Sequence, residues 1–154
     1  MQKLIQKFDI HIIGRLQRIE VPLARTAIFV VYFWFGFLKL LGASPATPLV
    51  QALFEKTINF MPFTAFYTFF SIFEIAIGIL FLLRGFERLA IFLLGLHLIT
   101  TILPLIFLPH ITWQAFLTPT LEGQYIIKNI LIAASAVVVG SKLIPMSSTT
   151  RPSS

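Results

Sequence analysis

FTAFYTFFSIFEIAIGILFLL, residues 63–83, decides how this chain folds. The run carries a single charged side chain, Glu74, close to its centre. A segment of this length and polarity crosses a ~30 Å hydrocarbon core as a helix. A carboxylate at mid-depth costs roughly 3 kcal/mol on insertion scales, so it is expected to face a bundle interior and a partner. The following run, 89–107, carries His97 at its own centre. Two ionisable residues at matched depth on adjacent spans define a candidate site.

Composition sets the solvent. The 154 residues are 57% hydrophobic and 12% charged, where a soluble domain carries about a quarter charged. Mean hydropathy is +0.90. A globule this small cannot bury so much apolar surface, so the lipid bilayer is the partner that composition demands. The chain has no cysteine, which excludes disulfides, thiolate metal sites and thiol relay chemistry. The net charge of +6 reads as the positive-inside bias of a membrane protein, not as nucleic-acid binding.

Four runs have spanning length: 22–41, 63–83, 89–107 and 125–142. Glu20 and Pro22 suit the start of the first helix. Gly42, Pro45 and Pro48 stop it. Residues 84–88 allow only a tight turn, which makes the second and third spans antiparallel neighbours. Nine basic residues (Lys3, Lys7, Arg15, Arg18, Arg25, Arg84, Arg88, Lys142 and Arg151) fall on one side, against Lys39, Lys56 and Lys128 on the other. Both termini are therefore expected in the cytoplasm, in a multi-pass protein of the bacterial inner membrane.

The fold class expected is an all-α membrane protein, with four transmembrane helices in an antiparallel bundle. Residues 1–20 lack the continuous apolar stretch and cleavage site of a signal peptide. Leu4, Ile5, Phe8, Ile12, Leu16 and Ile19 recur at helical spacing among basic residues, which predicts an N-terminal interfacial amphipathic helix; a plain basic flank is the alternative. Residues 21–142 then form the transmembrane domain, and 143–154 a disordered tail. The first loop, 42–62, predicts a short amphipathic helix at the outer interface, and Trp113 in the loop 108–124 an interfacial anchor.

Helical spacing also gives each span one polar or small stripe. The stripes are Arg25, Phe29, Tyr32, Gly36 and Lys39; Tyr67, Ser71, Glu74 and Gly78; His97, Thr101 and Pro104; and Tyr125, Asn129, Ala133, Ala136 and Gly140. Four such stripes can meet inside a bundle. The candidate ligand-binding or proton-relay residues are Glu74, His97, Lys128, Asn129, Tyr32, Arg25 and Lys39. Lys128 lies ~7 Å along the axis from the centre of its span, within reach of Glu74, and Glu74–His97 is the second pairing. Arg25 and Lys39 can snorkel to their interfaces. The phenylalanines Phe66, Phe69, Phe70 and Phe73 read as lipid contact and packing, with a slot for a planar ring as the lesser alternative. One membrane histidine cannot make a bis-histidine ligand pair, so no metal site and no resident haem are expected.

The stretches RTAIFVVYFWFGFLKLLGASPATPLV, FEIAIGILFLLRG and GQYIIKNILIAASAVVVG resemble the DoxX-like family of small four-helix membrane proteins. The shared features are the arginine opening the first span, a W-x-G-x-x-K exit, a glutamate before a glycine in span two, and a Lys-Asn pair in span four. The resemblance covers about 15–140 and implies a role beside respiratory redox systems, such as the small subunits of thiosulfate:quinone oxidoreductases. It implies Arg25, Lys39, Glu74, Lys128 and Asn129 as shared polar positions, with His97 a weaker correspondence. The missing cysteines set this chain apart from thiol-handling relatives. A more distant likeness is to four-helix membrane proteins linked to reactive-chlorine resistance.

Three functions fit these residues. The first is binding of a quinone or similar amphiphile between the helices, in support of a redox enzyme partner; no haem, flavin or cluster motif marks a stand-alone enzyme. The second is a proton-coupled or small-solute transporter using Glu74 and His97, for which a homodimer would supply enough helices. The third is a structural or assembly subunit whose buried charges specify the bundle.

Overall fold

The computed structural model describes residues 2–58 and 60–144. Four of its helices are long and apolar enough to cross a membrane. Helix α1 (Gln2–Leu40) is followed by α2 (Thr47–Thr57), α3 (Phe63–Leu82), α4 (Glu87–Phe107), α5 (Pro109–Thr112), strands β1 (Trp113–Ala115) and β2 (Thr118–Pro119), and α6 (Leu121–Ser141). Most of the expected tail, 145–154, lies outside the described residues.

The division expected at residue 20 is not marked by any break. One helix runs from Gln2 to Leu40 with Pro22 inside it. Its 39 residues extend about 58 Å, nearly twice the hydrocarbon thickness. The helix stops where expected. Gly42 adopts φ 69°, its N–H donates to the Lys39 carbonyl at 3.1 Å, and the Ala43 N–H donates to Leu38 O at 2.9 Å. This paired closure satisfies carbonyls that the helix end would otherwise leave open. Helix α2 occupies the loop where a short helix was predicted, and Phe54 is its buried residue, against the rings of Phe63 and Phe66.

The long helices pack in a closed ring, α1 on α3 and α6, and α4 on α3 and α6. Their shared core is Ile28 and Tyr32 of α1, Ile77 and Phe81 of α3, Ala90 and Leu94 of α4, and Ala136 and Val139 of α6. The closest approach is between α1 and α3, and two glycines permit it. A Cβ on Gly36 would lie 3.0 Å from Ser71 O and 3.2 Å from Glu74 Cβ. A Cβ on Gly78 would lie 3.0 Å from the Phe33 nitrogen and 3.2 Å from Phe29 O. Small residues thus let two backbones meet and bring polar side chains from both helices together.

Arg25 ties the other end of this pair. Its guanidinium donates to Phe81 O (2.6 Å), Leu83 O (3.0 Å) and Glu87 Oε1 (2.6 Å), so one side chain caps α3 and holds the turn into α4. Glu87 Oε2 in turn accepts from the Gly85 N–H at 2.8 Å, where φ is 90°. Replacing Arg25 by methionine removes the guanidinium donor from those carbonyls and from Glu87 Oε1. We expect a loss of about 1–2 kcal/mol in unfolding experiments on the detergent-solubilised protein.

Candidate functional site

The polar residues of α1, α3 and α4 converge on one hydrogen-bonded chain. Lys39 Nζ donates to Glu74 Oε2 at 2.6 Å. Glu74 Oε1 lies 3.0 Å from His97 Nε2, and His97 Nδ1 lies 2.9 Å from the Tyr32 hydroxyl. The four residues are 5–7% exposed. A carboxylate only accepts, so Nε2 carries the hydrogen directed at Glu74. A neutral ring then offers Nδ1 as acceptor for the Tyr32 hydroxyl, which gives a consistent set of donors along the whole chain.

Aromatic rings enclose the imidazole. Phe70 stacks on it with centroids 5.1 Å apart and planes 24° apart, and Tyr32 meets it edge-on at 5.1 Å. The Lys39 ammonium stands 5.8 Å from the Phe70 centroid. Above the cluster on the same face of α3, Ser71 Oγ donates to Tyr67 O, and the Tyr67 hydroxyl bonds Thr47 Oγ1 of α2 at 2.7 Å.

Of the seven residues singled out from sequence, four meet: Tyr32, Lys39, Glu74 and His97. Of the two partners expected for Glu74, His97 is in place, and the other, Lys128, is corrected to Lys39. Lys128 is exposed, with its ammonium 5.5 Å from the Tyr125 ring centroid. Of the stripe read for the last span, Ala136 is buried and Asn129, Ala133 and Gly140 are half-buried, while Tyr125 at its start is exposed. A step of one residue turns a helix by about 100°, which carries Lys128 off the inner face. Lys39, placed on the inner stripe with snorkelling as the alternative, turns in to take the carboxylate. Asn129 is half-buried and donates to Thr101 Oγ1 at 3.4 Å, joining α6 to α4 away from the chain. Arg25 sits at the end of α3 as described.

Sequence reading groups Phe70 with Phe66, Phe69 and Phe73, as lipid contact first and a ring slot second; spacing alone cannot separate it from exposed Phe69. Thr47 carried no signal beyond lying in a loop. Among the described residues, no three His, Cys, Asp or Glu side chains group as metal ligands.

These features define a helical, multi-pass membrane protein with a buried polar chain. No protein-family model, curated protein or solved structure matches it.

Proposed function

We propose that this chain is a DoxX-like antiparallel four-helix protein of the bacterial inner membrane, with both termini cytoplasmic. In this reading it binds a quinone or similar amphiphile against Lys39 and Phe70 and assists a membrane redox enzyme. The observation that carries the reading is the buried chain Tyr32–His97–Glu74–Lys39. A lipid-soluble ring with carbonyl oxygens needs a donor inside the membrane and an aromatic wall. Lys39 Nζ has three hydrogens and, among the described residues, one acceptor, Glu74. Phe70 supplies the wall beside it. Phenol, imidazole and carboxylate in sequence can pass a proton to or from the same place. The reversed register of Gly36 and Gly78 supports the antiparallel arrangement, and exposed Ile10, Ile12, Ile13, Leu16 and Ile19 beside the basic Arg15 and Arg18 support contact of this stretch with the cytoplasmic leaflet.

The test is quinone content and quinone titration of the purified protein. Bound quinone is expected with the unaltered chain, with at least about a tenfold weaker affinity in Lys39→Gln, the loss of roughly one charge-assisted hydrogen bond. No saturable binding to the unaltered, folded protein rejects the reading. A structural role is favoured by one separate observation: among the described residues, no buried side-chain nitrogen or oxygen lacks a hydrogen-bond partner. It requires a Lys39→Met/Glu74→Met chain to fold and to support growth in cells as the unaltered chain does.

A further inference from the structure

We propose that the β1–β2 hairpin is a lipid-inserting element. Its tip, Phe116 and Leu117, seats in the interface of the leaflet that borders the last turn of α4 and the first turn of α6. The proposal rests on the four-span reading of the chain.

The root of the hairpin is clamped. Thr112 is fully buried, and its Oγ1 donates to Leu108 O at 3.0 Å. The Thr120 N–H donates to Thr112 O at 3.0 Å, and Thr120 Oγ1 donates to Ile111 O at 2.8 Å. Gly123 admits this packing, since a Cβ there would fall 2.2 Å from Thr112 O. Trp113 Nε1 donates to Leu105 O at 3.1 Å, which fixes the strand to the end of a candidate span.

The tip is unlike a turn built for water. Phe116 is 91% exposed and Leu117 73% exposed. Leu117 adopts φ 55°, a conformation that glycine or asparagine takes far more readily. Residues 113–120 contain no charged side chain. An apolar pair held rigidly outward gains nothing from water and buries both side chains on entering lipid. Lipid is the occupant that fits. The apolar surface continues into exposed Ile106 and Phe107 before the hairpin and Leu121 after it, so the tip prolongs the lipid-facing side of the spans. A Trp indole with its N–H satisfied and its ring beside that surface suits the same depth.

The absence of cysteine makes the test direct. Phe116→Cys and, separately, Leu117→Cys are labelled with a nitroxide in the full chain and reconstituted in phosphatidylcholine vesicles. Trp34→Cys, at a position 63% exposed within α1, serves as the depth reference. Collisions with oxygen, which partitions into lipid, are compared with those of a water-soluble nickel chelate. Oxygen exceeding nickel at 116 and 117, at a shallower depth than 34, is the expected result. Nickel exceeding oxygen at 116 and 117, with 34 still in lipid, overturns the proposal. A tip as deep as 34 also overturns it, because the root is fixed at the end of a span. A watery signal at 34 as well rejects the four-span reading itself.

Discussion

Lys39→Met lowers the stability of the folded bundle by about 3 kcal/mol, because it leaves a carboxylate inside without its cation. Methionine keeps the length and most of the volume of lysine, so packing changes little. Glu74 is then left with His97 alone, near the middle of α3, where its short side chain reaches no water. Glu74→Gln is the milder change. Glutamine still accepts from His97, and Lys39, next to last in α1, has the reach to extend toward the interface. The double variant Lys39→Met/Glu74→Met recovers most of the loss, with about 1 kcal/mol outstanding for the unmatched imidazole N–H. Detergent-denaturant unfolding followed by circular dichroism measures all three. A single Lys39→Met chain as stable as the parent would show that the pair contributes nothing.

Gly36→Val costs a similar amount, about 3 kcal/mol, at the upper end of overpacking penalties. A Cβ at this position meets Ile75 Cγ1 at 2.8 Å, Ser71 O at 3.0 Å and Glu74 Cβ at 3.2 Å. The Ile75 side chain can rotate away. The carbonyl and the Cβ cannot, so α1 must move off α3. Lys39 lies less than one turn beyond Gly36, and the same movement draws its ammonium away from Glu74. The variant is therefore expected to lose the proposed quinone binding along with stability. Gly95→Val is the control: nothing lies within 4 Å of a Cβ there, and its effect should stay within about 0.5 kcal/mol.

The four spans were legible because hydropathy and length state them directly. The inner faces of the first three were legible as well, since Tyr32, Gly36, Lys39, Tyr67, Ser71, Glu74, Gly78 and His97 are all buried as their spacing implied. Three things were not. In α6 the spacing put Tyr125 and Asn129 on one stripe, yet a tyrosine at a span end is equally at home facing lipid headgroups, and it does face outward. Choosing Lys128 over Lys39 for Glu74 followed from comparing depth alone. The choice was made instead by the glycine contacts between α1 and α3, which shorten the distance from Lys39 and cannot be read from one helix at a time. The hairpin left no signal, because three-residue and two-residue strands are too short to alternate.

The order of the four polar residues along the chain bears on how the protein is made. Lys39 is synthesised 35 residues before Glu74, and His97 follows 23 residues after it. Lys39 sits at a helix end, where an amine on a long stem can wait at the membrane surface without a partner. Glu74 has no such refuge at the centre of its helix. The residue that tolerates waiting emerges first, and the one that does not arrives to find its counter-ion in place. Ribosome order thus spares the growing chain an uncompensated charge in the bilayer.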